Sequence, residues 1–236
     1  MLKSLGKTTY KNLANVASII GILPVAILFL KDGYQYLIPL IVYNNIMDDL
    51  DGILAVKLNI KSQFGAILDN VCDAVAHAVF VMVVAMHVWT DQGGVCGGVC
   101  AAAGLVAAMA LVLRVVSRLD PAAVAGTGSP TNELARHMFF ILLLAHIFGF
   151  ATAPPLIAVF VLHTVSMLVP YRMPWLIRSL TKSATAISLV NVSLVVAWRF
   201  PDATPLIAAA FLLSYLLSFA WGGIGWIKGM QAPASS

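Results

Sequence analysis

The chain predicts an all-α, polytopic integral membrane helical bundle of about eight transmembrane helices, with both termini cytoplasmic. Three observations lead there. The 236 residues are 61% hydrophobic and only 10% charged, where a soluble domain carries about 25% charge. The apolar residues gather into runs of about 17–25, the length that crosses a hydrocarbon core about 30 Å thick. Threading those runs through a bilayer sorts the basic residues to one side of it.

Eight runs fit: 13–30, 35–52, 66–88, 95–116, 134–150, 154–171, 183–200 and 204–222. Polar residues intrude at one end of the second and the fifth. None alternates like a strand, and lipid offers no partner to an unpaired backbone group, so each run is a helix. With the N-terminus inside, only Lys31 and Arg199 of the 14 Lys and Arg fall on the outer side. A wrong count of runs would scatter them. The net charge of +4 therefore belongs to cytoplasmic loops, where it sets topology and meets anionic headgroups. No basic stretch interleaved with aromatics lies outside the runs, so nucleic acid is not an expected partner. The first run lacks a small-residue cleavage site after it and reads as a retained helix.

Residues 1–236 form one domain without repeats. The connection from Arg118 to Leu134 is the longest and is rich in Gly, Pro, Ala and Thr, which suits a lid or substrate-facing loop. The tail MQAPASS, from Met230, reads as disordered. Cys96 and Cys100 lie one helical turn apart and read as packing residues; Gly93, Gly94, Gly97 and Gly98 around them suit close helix approach. All five tryptophans sit near run ends, as in an interfacial belt. His137 reads as solvated, and His87, His146 and His163 as partners in helix–helix hydrogen bonds.

Half of the 10 acidic residues fall in one stretch, MDDLDGILAVKLNIKSQFGAILDNVCD, from Met47 to Asp73. Asp48 and Asp51 are three apart and Asp69 and Asp73 four apart, so each pair shares a helix face. The first pair ends the second run and the second pair begins the third. The intervening loop reverses the chain, and four carboxylates converge near the membrane surface. Carboxylates are costly there and repel one another. A divalent cation relieves both penalties, and an all-oxygen set suits Mg²⁺, Mn²⁺ or Ca²⁺ over Zn²⁺. Four such groups suffice for two ions about 3.5–4 Å apart, the arrangement that clamps phosphoryl oxygens. Asp49, off this spacing, reads as a solvated interfacial acid. Gly52 and Gly65 let backbone approach a phosphate or base closely.

The pattern D-x-x-D-G-x-x-A-x₉-G-x₃-D-x₃-D, from Asp48 through Ala55 and Gly65 to Asp73, resembles the signature of the CDP-alcohol phosphotransferase family. These integral membrane enzymes move a phosphoalcohol from a cytidine diphosphate donor to an acceptor hydroxyl and release CMP. The resemblance implies that Asp48, Asp51 and Asp69 are metal ligands and that Asp73 is both ligand and general base. It implies Mg²⁺ or Mn²⁺, two ions in all. A donor pocket of Gly52, Ala55, Lys57, Ser62 and Gly65 follows, as does a homodimer. The family places arginine directly after the alanine; here that position is Val56, with Lys57 next.

Within the family the details lean toward phosphatidylserine synthases. The segment KLNIKSQFGAILDN is similar to theirs through Leu58, Asn59, Ser62, Phe64, Gly65, Leu68 and Asp69. LDPAAVAG and MLVPYRMPW are looser likenesses. The expected reaction is transfer of a phosphatidyl group from CDP-diacylglycerol to serine, in phospholipid synthesis at the cytoplasmic face. Glycerol phosphate, inositol phosphate, choline or a lipid are alternative acceptors, and a cation transporter is an alternative class. For the acceptor, Arg114 and Arg118 share a helix face suited to a carboxylate or phosphate. His77 lies one turn beyond Asp73. Asn12 and Asn15 open the first run, where the family often places an asparagine near the nucleotide.

Overall fold

The computed structural model describes residues 12–119, 128–177 and 184–231. Among them are eight α-helices and no strand: α1 (Leu13–Ile22), α2 (Leu37–Lys57), α3 (Gln63–Gln92), α4 (Gly94–Leu119), α5 (Thr131–Phe148), α6 (Ala153–Leu168), α7 (Ala184–Arg199) and α8 (Thr204–Gln231). Each overlaps one of the eight apolar runs, with different ends. Lys3, Lys7, Lys11, Arg178, Lys182, residues 120–127 of the long loop and the final residues of the tail lie outside the described set.

The first run is an α-helix only as far as Ile22 and continues as a 3₁₀ stretch, Leu23–Phe29, with Pro24 in its first turn. Proline lacks the N–H that an α-helix would need there. The second run extends further than its apolar residues indicate. It stays helical to Lys57 and so carries Gly52 and Ala55 on a helix rather than in a loop.

Three helical segments, Gln63–Gln92, Gly94–Leu119 and Pro201–Gly229, are long and apolar enough to cross a membrane. Leu13–Phe29, Ala153–Leu168 and Ile187–Arg199 are shorter and apolar. The exterior is apolar as well. On α4, Leu105, Met109, Val112 and Val116 form an exposed stripe at helical spacing. An outer surface of this kind marks a membrane-facing bundle.

α3 and α4 pack along one another as a hairpin, α6 lies on α4, and α1 bridges α2 and α3. α5 packs against α3, α6 and α8, and α7 against α2. The tight turn between α3 and α4 uses Gly93 and Gly94, with φ of 59° and 60°, so these glycines serve the turn rather than helix packing. Close approach falls instead on Gly104, where an added Cβ would lie 2.5 Å from the Ala85 Cβ. Gly97 is also close, with the Trp89 Cα 3.2 Å from such a Cβ. Cys100 is buried as a packing residue, and Cys96 is exposed.

Candidate active site

The link between α2 and α3 shapes the site. α2 ends with Asn59 at φ 52°, a left-handed conformation that asparagine adopts more readily than most residues. Ile60 N–H then donates to Ala55 O at 3.1 Å and Asn59 N–H to Val56 O at 3.2 Å, a Schellman closure of the helix. Three residues later Ser62 caps α3, its Oγ accepting from Gly65 N–H at 2.9 Å. This is the standard serine cap on an otherwise unsatisfied donor. The two helix ends, one bearing Asp48 and Asp51 and the other Asp69 and Asp73, are thereby brought face to face.

Asp48, Asp51 and Asp69 each place a carboxylate oxygen within 4.8 Å of the others. Asp51 is buried and the other two are half-buried. Asp73 is buried as well, one turn further along α3 and outside that trio. Ser18 of α1 donates from its hydroxyl to Asp51 Oδ2. Asn132 of α5 donates from Nδ2 to Asp48 Oδ2 at 2.7 Å.

Asp49 corrects an expectation. It is 4% exposed rather than solvated, and it accepts from Asn191 Nδ2 at 2.7 Å and from Asn45 Nδ2 at 3.5 Å. Asn45 in turn accepts from Arg136 Nε at 3.0 Å, and Arg136 pairs with Glu133 at 2.8 Å. A polar network thus runs inside the bundle from α7 through α2 to α5. His137 corrects another, being buried beside His163 and Tyr215. His163 does join two helices, through the Tyr215 hydroxyl at 3.1 Å.

Beside the trio lies a cavity of about 340 Å³, with Asp51 and Asp69 in its wall. Gly52, Ala55, Ser62 and Gly65 all line it, as does Asn15 of α1. Lys57 does not; the lysine that lines it is Lys61, and Val56 lines it too. A one-residue step turns a helical side chain by about 100°, which carries Lys57 away from the wall that Val56 joins. A Cβ built on Gly52 meets nothing within 4 Å, whereas one on Gly65 would lie 2.8 Å from Asn15 Oδ1. The first glycine leaves cavity space, and the second lets α1 approach α3.

The acceptor candidates are spread out. His77 is buried, with Nδ1 3.1 Å from Thr131 Oγ1. Arg114 is half-buried and donates to the carbonyls of Ser129 and Gly128 at 3.2 and 3.4 Å, which binds α4 to the end of the long loop. Arg118 is exposed. Ser18 and Asn132 escaped the reading from spacing, because each reaches the acids from a distant segment. Their one local signal is polarity: the string Thr131-Asn132-Glu133 begins a helix and is wholly buried.

Clustered carboxylates that could hold a divalent cation lie beside a cavity of about 340 Å³ within an apolar helical bundle, the make-up of a membrane protein with a metal-binding site. The oxygen-only donor set and its spacing fit such an ion. The model of the CDP-alcohol phosphatidyltransferase family matches residues 11–171, more than half of the chain, and the chain belongs to that family. Its chemistry is phosphatidyl transfer from a CDP-alcohol in phospholipid synthesis, and its members generally depend on divalent metal. No curated protein matches the sequence.

Proposed function

We propose that the protein transfers the phosphatidyl group of CDP-diacylglycerol to the hydroxyl of serine and releases CMP. The observation that carries this reading is the Asp48–Asp51–Asp69 trio, two of whose members, Asp51 and Asp69, join Gly52, Ala55, Ser62 and Gly65 in the wall of one cavity. The donor's cytidine diphosphate seats in that cavity. Gly52 leaves room for the nucleotide against α2, and Lys61 supplies the positive charge that Val56 does not. Asp48, Asp51 and Asp69 would hold a divalent cation, Mg²⁺ or Mn²⁺, with Asp73 completing the set for a second. A cation held there would supply Lewis-acid polarisation of the diphosphate and offset charge on the departing CMP.

Asp73 acts as general base. The acceptor hydroxyl oxygen bonds to the phosphorus that carries diacylglycerol, Asp73 takes the hydroxyl proton, and the bond from that phosphorus to the CMP oxygen breaks. Serine is favoured by the similarity of Lys57–Asn70 to the phosphatidylserine synthase segment. The lopsided Lys and Arg distribution supports eight spans, cytoplasmic termini and a site on the cytoplasmic face.

The test uses purified protein with Mn²⁺ or Mg²⁺, CDP-diacylglycerol and a panel of acceptors. CMP release with serine, lost on chelation with EDTA and in Asp73→Asn, is the expected result. CMP release with another acceptor alone would replace serine. Turnover that survives both chelation and Asp73→Asn would overturn the mechanism.

A further inference from the structure

Asn132 is buried at 3% exposure in the first turn of α5, and its amide donates to Asp48 Oδ2 at 2.7 Å. Its orientation is set from behind. Thr131 Oγ1–H donates to Asn132 Oδ1 at 3.4 Å, and the same hydroxyl lies 3.1 Å from His77 Nδ1. A hydroxyl has one proton. Thr131 directs it to Asn132, which leaves the Asn132 amide N–H₂ facing Asp48. The chain His77–Thr131–Asn132–Asp48 links α3, α5 and α2. A flipped Asn132 would turn its carbonyl toward the carboxylate and break it.

We propose that Asn132 is a positioning residue for the metal centre, fixing the Asp48 carboxylate toward Asp51 and Asp69 without neutralising it. Carboxylates this close repel, and the bond from Asn132 opposes rotation of Asp48 away from the other two. Lysine or arginine at this place would restrain it too, but would compete with a cation for its charge. A neutral amide restrains the carboxylate and leaves that charge available. The proposal rests on the reading of the trio as a cation site.

The test is Mn²⁺ binding to the full-length protein in detergent, followed by loss of the free-ion signal in electron paramagnetic resonance. Donors that orient a ligand typically change metal affinity about 10–100-fold, and Asn132→Ala is expected to weaken Mn²⁺ binding by that factor. Thr131→Val removes the hydroxyl that orients the amide and leaves Asn132 itself in place, and should weaken binding in the same direction. Asn191→Ala is the control. It removes an amide–carboxylate bond of the same 2.7 Å length, to Asp49 outside the trio, and should lower thermal stability while leaving Mn²⁺ affinity within about twofold. Unchanged affinity in both Asn132→Ala and Thr131→Val overturns the proposal; if Asn132→Ala fails to fold, Thr131→Val alone decides. A parent protein that does not bind Mn²⁺, or binds it equally well as Asp48→Ala, overturns instead the cation reading.

Discussion

Gly52 lies inside α2, five residues before the helix ends at Lys57, and a Cβ built on it meets no atom within 4 Å. Glycine in a helix interior costs about 0.5–1 kcal/mol relative to alanine. With nothing in the way, Gly52→Ala should recover that energy and raise the apparent Tm by about 1–4 °C. The open space is also the cavity of about 340 Å³ beside Asp51. A methyl group there stands between the α2 backbone and any nucleotide seated against it. Displacing a substrate by about 1 Å from its reactive position costs about 100-fold, or about 2.7 kcal/mol of transition-state stabilisation. Stability and activity should therefore move in opposite directions in one variant. Thermal unfolding followed by tryptophan fluorescence reads the first, and CMP release against donor concentration reads the second. A stabilised variant with unchanged kcat/KM for the donor would show that the nucleotide does not lie on Gly52. Gly65→Ala should lose on both counts, since its Cβ meets Asn15 Oδ1 at 2.8 Å and the capping Ser62 Oγ at 3.0 Å.

Lys61→Ala should raise the donor KM about tenfold, on the scale of a charge-assisted phosphate contact, while Lys57→Ala leaves it within about twofold; a reversed order would return the phosphate to Lys57. Val56→Arg should lower the donor KM, because Val56 is 60% exposed and lines the cavity, so a longer side chain enters without repacking the core. Gly104→Val should destabilise the bundle by about 1–3 kcal/mol through overpacking, as its Cβ would already sit 2.5 Å from Ala85. Melting curves check this, and kcat below the melt should stay near the parent value.

The helices were legible because lipid imposes one demand on every span, and the apolar runs record where it is met. Their ends were less so. α2 runs on to Lys57 because an asparagine-based closure at Asn59 stops it, and hydropathy does not register that. The acidic trio was legible because Asp48, Asp51 and Asp69 lie on two consecutive helices joined by a short link, so local spacing fixes their meeting. Ser18, Asn132 and Asn191 were not, since each lies far from the acids in the chain. Only the packing of α1, α5 and α7 around α2 brings them to the acids. Lys61 shows the same limit in reverse: it lies next to the capping Ser62, and the turn geometry puts it on the cavity wall in place of Lys57.

The helical turn also explains why three acids within four positions are tolerated. At about 100° per residue, Asp48 and Asp51 stand about 60° apart, while Asp49 points about 100° from Asp48 on the other side. The spacing that joins two of them turns the third toward α7, where Asn191 and Asn45 receive it. Asp48, Asp49 and Asp51 each accept from an uncharged donor, and the buried Arg136 is paired with Glu133. The face of α2 that carries Asp48 and Asp51 meets Asp69, and the face that carries Asp49 does not. Asp49→Asn tests this division. The new side chain keeps an acceptor for Asn191 and sheds a charge that the trio does not use, so Mn²⁺ affinity and kcat should stay within about threefold of the parent. Asp48→Asn and Asp51→Asn, each subtracting one charge from the cluster, should lose metal binding by far more. Equal losses at all three positions would mean that the site responds to summed negative charge and not to which face of α2 carries it.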